Sequence, residues 1–237
     1  MNSRVVVLVA RPTPSGVDAR SLAGLAAAVA ATVADPVRVA HLDQAEPSIH
    51  DVLDEGVRDG ADVALLVPLA VPADAYLRTW IGKAVANWRE TRAPLSLDVR
   101  LAGDLTASAG AAAAVAALTA GEGEEITASP GSFRAPSWSE LPGHDRHLLL
   151  CRGPRCTAHG AGDTHRALTA ATRDDPGTLV TPIGCLGPCN LGPIVIETPG
   201  RDPEGTWHQR VDASTATELA ARWAPPADRS DRTVSTG

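Results

Sequence analysis

Aromatic residues make up only 3% of the 237-residue chain, with one Tyr, one Phe and one Met, and Lys83 is its only lysine. The core must therefore be built from aliphatic side chains, and 44% hydrophobic residues supply enough of them. No basic block offsets the net charge of −7, so nucleic acid and anionic membranes are poor partners. The early apolar run, residues 5–10, falls well short of the ~20 residues that span a bilayer. It also lacks a signal-peptide layout, so a soluble cytoplasmic protein is expected. No Cys-x-x-Cys is present, which argues against a thioredoxin-type redox pair. The first half also lacks a phosphate-binding glycine fingerprint.

What is present is one concentrated signal. All four cysteines lie between residues 151 and 189, as Cys151-x4-Cys156 and Cys185-x3-Cys189. In a reducing compartment such cysteines are metal ligands rather than disulfides. Two short pairs suit a two-iron cluster, because each iron takes two thiolates. Gly184, Gly187 and Gly192 permit left-handed backbone or close approach of N–H groups to sulfur. Pro188 and Pro193 stiffen the same loops, and Arg152 and Arg155 stand ready to offset cluster charge. A closed four-cysteine zinc site is the competing reading. His159 is read as a surface residue, since four thiolates already complete the set.

The rest of the chain reads as two α/β units. Residues 4–10, 36–42, 61–67 and 95–102 are strands, alternating with helices at 21–34, 47–60, 74–89 and 106–120. Asp74 caps the third helix. Alternation of this kind implies a parallel sheet with ligand-binding loops at the strand carboxyl ends. Those loops are residues 11–16, 41–43, 68–74 and 103–108. Residues 121–146 are Gly/Pro-rich and polar, a flexible linker expected to act as a tether. Residues 147–224 then read strand, helix, three strands and a last helix capped by Ser214, and 225–237 form a tail.

Two resemblances follow from these motifs. Residues 39–49 and 60–70, with their strand–Pro patterning, resemble the small sirohydrochlorin chelatases of cobalamin and siroheme synthesis. That resemblance covers about residues 4–120 and implies a tetrapyrrole ligand. It also implies a His after strand one and another after strand three. This chain has Arg11-Pro12 and Asp74 to Arg78 there, with no imidazole. Arg is always protonated and cannot replace an imidazole ligand. Arg11 and Arg78 are read as solvated, or as partners of carboxylates. Of the two histidines in this half, His41 is read as buried and satisfied by backbone, and His50 as exposed. Asp43 and Glu46 are read as loop carboxylates.

The cysteine pairs, Gly184 and Gly192-Pro193 resemble the thioredoxin-like [2Fe–2S] ferredoxins, over about residues 146–224. This implies a [2Fe–2S] cofactor on Cys151, Cys156, Cys185 and Cys189, and a redox partner protein. Three functions stand open, one of them a non-redox interaction protein that holds zinc. Another is a ferredoxin-type electron carrier with a degenerate chelatase-like domain. The third is an active sirohydrochlorin cobalto- or ferrochelatase with a structural or redox-sensing cluster. Homodimer formation is a further expectation, and catalytic residues stay unassigned.

Overall fold

The computed structural model describes residues 3–12, 18–92, 96–121, 125, 127, 139, 140, 143–199 and 205–223. Most of the expected linker, most of the hairpin turn expected at 200–205 and the whole tail at 225–237 lie outside those residues.

The fold is mixed α/β, with two four-stranded sheets. In the first half β1 (Arg4–Ala10), β2 (Val37–His41), β3 (Val63–Pro68) and β4 (Asp98–Leu101) are all parallel, in the order β2-β1-β3-β4. Central β1 is buried from Val5 to Ala10, which explains its unbroken apolar run. The helices are α1 (Ala19–Ala30), α2 (Ile49–Arg58), α3 (Ala75–Thr91) and α4 (Ala109–Thr119). Asp74 caps α3 as expected, accepting from the Tyr76 and Leu77 N–H groups. Asp18 does the same for α1 and Ser48 closes a capping box on α2.

Val7, Val9, Leu53, Leu66, Leu77, Ile81 and Trp88 form the first core. Buried Trp88 keeps its indole N–H satisfied by Asp54 Oδ1 at 2.8 Å. His50 is wholly buried, contrary to its expected exposure. The reason is α3, which packs over that side of α2 and offers the Ala84 carbonyl to His50 Nε2 at 2.9 Å.

The second half carries β5 (Arg146–Cys151), α5 (Pro154–Ala158), α6 (Ala161–Ala171), β6 (Thr178–Ile183), β7 (Val195–Thr198), β8 (Thr206–His208) and α7 (Ala213–Trp223). Strand order is β6-β5-β7-β8. The β5–β6 pair is parallel, while β5–β7 and β7–β8 are antiparallel. Leu148, Leu150, Leu168, Val195 and Leu219 make its core. The one unexpected helix, α5, starts with Pro154 just after Gly153, where proline costs no hydrogen bond. The cap of α7 is Asp212 rather than Ser214: Asp212 Oδ1 accepts from the Thr215 N–H at 2.8 Å and from the Ser214 hydroxyl.

Candidate metal centre and the facing strand ends

Parallel pairing of β5 and β6 sets Cys151 opposite Ile183. Both strands therefore end at the same edge, and the loops leaving them carry all four cysteines. Cys151 is the last residue of β5, and α5 turns Cys156 back toward it. Cys185 follows β6 by two residues, and Cys189 opens a 3-10 turn over 189–191. Cys151 and Cys156 are 2% exposed, Cys185 is exposed and Cys189 half-buried. All four are free thiols. The set thus has a sealed side and an open side.

The sulfurs touch. Cys185 Sγ and Cys189 Sγ are 3.6 Å apart. Two thiolates on one tetrahedral metal, with bonds of about 2.3 Å, lie roughly 3.8 Å apart, so this pair needs little movement to share an iron. Cys151 makes side-chain hydrogen bonds with both Cys156 and Cys185. The Cys156 thiol beside it holds Cys151 down to about 6, and the same hydrogen bond pushes Cys156 up. Burial, followed by Cys185, pushes Cys189 up to about 11. The backbone amides of Leu186 and Gly153 favour the Cys151 thiolate, and that of Ile194 favours the Cys156 thiolate. Such donors stabilise negative charge on sulfur.

The glycines divide by role. Gly187 has φ +111°, which favours glycine. A Cβ on Gly192 would lie 2.6 Å from Cys156 Sγ, so the sulfur occupies the space of a side chain. Gly184, expected to act likewise, has nothing within 4 Å of its Cβ position and no positive φ. Gly153 was missed: a Cβ there would lie 2.9 Å from Cys185 Cβ, which locks the two cysteine loops together.

Among the described residues, no group of three or more His, Cys, Asp or Glu is arranged to hold one metal ion. A two-iron cluster makes a different demand, two thiolates per iron. The paired sulfurs, their amide donors and the Gly192 cradle fit that demand. Buried Arg152 places its Nη1 3.4 Å from His165 Nδ1, and Arg155 lies near enough to Cys189 to favour its thiolate. Both arginines flank the cysteines as expected. His159 is exposed, also as expected.

The first half turns its strand ends toward the open side. Arg11, after β1, bonds Asp43 and Asp74, each at 3.5 Å, and its guanidinium lies 4.4 Å from the Tyr76 ring centre. Burial, then the charges of Asp43 and Cys185, push the Tyr76 hydroxyl up, which marks how near the cysteines stand. Arg78 bonds the Ala102 carbonyl at 2.9 Å and Asp104 at 3.0 Å. Arg11 and Arg78 therefore meet carboxylates of their own chain. His41 is buried, with Nδ1 3.4 Å from the Pro47 carbonyl, and burial lowers its pKa. Asp43 is a buried carboxylate rather than a solvated one, with Oδ1 unpaired and its pKa raised by burial.

The halves also bond directly, although a tether alone was expected. The Gln44 N–H donates to the Arg152 carbonyl at 3.0 Å, and its side-chain amide donates to the Ile183 carbonyl at 3.3 Å. Gln44 sits at φ +62° to do so. Glu46 pairs with Arg166, against Gly162. Arg166 is 61% exposed, so a double-mutant cycle of Glu46→Ala and Arg166→Ala, read by urea unfolding, is expected to give coupling below about 1 kcal/mol. A much larger value would mean that this pair, rather than Gln44, holds the contact.

The parallel sheet, its element order and its strand-end loops now stand beside the sequence pattern. Residues 5–120 match the CbiX family. This is the sirohydrochlorin chelatase-like family of the expected resemblance. A ferredoxin, 2Fe-2S, from Aquifex aeolicus (strain VF5) is 25% identical over 89 residues, covering 32% of this chain and 77% of that protein. This similarity concerns the part C-terminal to the CbiX-like half. Two solved structures are also similar. The wild-type thioredoxin-like [2Fe-2S] ferredoxin from Aquifex aeolicus has 24% identity and a TM-score of 0.30, covering 34% of this chain and 85% of its own. The putative cobalamin (vitamin B12) biosynthesis CbiX protein from Marinobacter aquaeolei VT8 has 19% identity and a TM-score of 0.42, covering 49% of this chain and 94% of its own. The mouth of the CbiX-like half carries arginines and carboxylates with one buried histidine among the described residues.

Proposed function

We propose that this chain is a [2Fe–2S] electron-transfer protein whose CbiX-like half serves tetrapyrrole metabolism. Cys151, Cys156, Cys185 and Cys189 would hold the cluster. The observation that supports the reading is that the loops after paired β5 and β6 carry all four cysteines at one end of the second sheet, with the Cys185 and Cys189 sulfurs 3.6 Å apart. The match of residues 5–120 to the CbiX family supports the tetrapyrrole setting. A single zinc is less well supported, because it needs its donors about one centre.

When bound, the cluster supplies a one-electron couple. The chain's own residues do the rest. The Cys151 and Cys156 side excludes water, and the Leu186, Gly153 and Ile194 amides steady the sulfur charge. The Cys185 and Cys189 side stays open, beside Tyr76 and the strand-end loops. A ligand in that mouth, or a protein docked over it, would meet the cysteine pair directly. Metal insertion by the CbiX-like half has weaker support, since the mouth offers no free imidazole pair among the described residues.

Anaerobic purification followed by metal analysis and spectroscopy tests the proposal. The expected protein is coloured, holds about two irons per chain and gives an EPR signal after dithionite. A colourless protein with one zinc would overturn it. Sirohydrochlorin should then perturb the visible spectrum without turnover of cobalt or iron. Insertion at full rate in a variant lacking all four cysteines would instead make the CbiX-like half the enzyme.

A further inference from the structure

The open cysteine pair has a second chemistry, one that competes with metal binding. Cys185 Sγ and Cys189 Sγ are 3.6 Å apart, and both are free thiols. A disulfide sets its sulfurs about 2.05 Å apart, so closure needs an approach of roughly 1.5 Å. The loop has room to supply it. Cys185 is exposed, and a Cβ on the preceding Gly184 would meet nothing within 4 Å. Between the two cysteines Gly187 turns the chain at φ +111°, and its carbonyl accepts from the Cys189 N–H at 2.7 Å.

Access separates this pair from the other. Cys151 and Cys156 are buried and packed with Ala161, Ile194 and Ile196. Thiol–disulfide exchange needs the incoming disulfide to reach sulfur in line with the attacking thiolate. An oxidant as large as a tripeptide disulfide therefore meets Cys185 and not the sealed pair. Half-buried Cys189 stands within reach of whatever forms on Cys185. The spacing is Cys-x3-Cys, one residue longer than that of the thioredoxin-type pair. Its role is to control the occupancy of its own site rather than to turn over substrates.

We infer that Cys185 and Cys189 close to a disulfide when the protein is free of metal and meets a low-molecular-weight disulfide such as oxidised glutathione. The Cys185 thiolate attacks one glutathione sulfur, forming a mixed disulfide and expelling one glutathione thiolate. The Cys189 thiolate then attacks the Cys185 sulfur and expels the second. Two protein thiols are oxidised, and one glutathione disulfide is reduced to two glutathiones. The two thiol protons pass through water to the two leaving thiolates. Only thiolate sulfur binds metal, so the bond removes half of the donor set. The consequence for iron rests on the cluster proposed above, whereas the disulfide itself does not.

Peptide mapping tests this directly. Arg173 and Arg201 bracket the pair, so trypsin leaves Cys185 and Cys189 on one fragment, 174–201. Arg152, Arg155 and Arg166 put Cys151 and Cys156 on two others. Full-length protein, freed of metal without oxygen, is treated with oxidised glutathione, blocked with iodoacetamide in denaturant and digested. Fragment 174–201 should lose two hydrogens and carry no alkyl group, while the Cys151 and Cys156 fragments are alkylated. Cys189→Ser should stop at the mixed disulfide, with glutathione on Cys185. Iron uptake by the closed protein should fall at least about tenfold and return once dithiothreitol reopens the pair. A doubly alkylated 174–201 fragment, or a bond to the Cys151 or Cys156 fragment, would overturn the inference. Iron uptake unchanged by closure would overturn the competition with metal. A pair that closes in a protein taking up no iron even when reduced upholds the disulfide and counts against the cluster reading alone.

Discussion

Cys156→Ala protein, purified without oxygen, is expected to be colourless and to hold less than roughly a tenth of the wild-type iron. Cys156 is 2% exposed, bonded to Cys151 and supported by the Ile194 amide. Its removal would leave one iron short of a thiolate on the sealed side, where water cannot enter to substitute. No other donor stands ready: His159 is exposed, and no alternative group of three ligands occurs among the described residues. The fold should survive, because the Leu148, Leu150 and Leu168 core lies apart from the cysteine layer. Far-UV circular dichroism checks that point. Cys185→Ser is the informative companion. Cys185 is exposed, so an oxygen ligand there would be hydrated and accessible. A hard oxygen binds less well than a soft thiolate. That variant should keep some colour with a shifted spectrum. Full iron in Cys156→Ala would remove it from the ligand set.

Much of this architecture is legible in the sequence. Residues 4–10 read as a doubly buried strand, and Val5 to Ala10 are buried. The cysteine spacing gives two pairs because parallel strands deliver their loops to one edge. What escaped the sequence depends on neighbours distant in the chain. His50 looks exposed at the start of a helix, and only the packing of α3 on α2 buries it. Gly153 carries no local signal, since its constraint is the Cys185 Cβ contributed by the other loop. Glu46 and Arg166 meet across 120 positions. The short helix α5 did leave a signal in Gly153-Pro154, the favoured glycine-then-proline start, which reads equally as a turn.

The contact between the halves sets the strand-end mouth beside the cysteine loops. Its arginines pair with carboxylates, and His41 is the one imidazole of that mouth among the described residues. Set against Cys185 and Cys189, the same mouth adjoins a thiol pair whose charge reaches Tyr76. Gln44 fixes this arrangement through carbonyls of Arg152 and Ile183, each next to or two residues from a cysteine. The loop after β2 thus reads the position of the cysteine loops directly.

Gly192→Ala should strip the cluster without touching a ligand. Gly192 has φ −71° and ψ 157°, a conformation alanine adopts freely, so backbone strain plays no part. The whole effect is steric. The added methyl would lie 2.6 Å from Cys156 Sγ and 3.4 Å from the Cys189 carbonyl oxygen. Cys156 cannot yield easily, because it is packed with Ala161, Ile194 and Ile196 and bonded to Cys151. Overpacking of this kind costs about 1–3 kcal/mol in the apo fold. If Cys156 holds iron as proposed, the metal bond would fix the sulfur further, so iron content should fall by roughly fivefold or more. Gly184→Ala is the matched control on the same loop, with open space around its Cβ position. It should keep its iron and its urea midpoint. Equal iron in the two variants would mean that the Cys156 sulfur moves off Gly192 when the cluster forms. The cradle would then be a feature of the apo thiols alone.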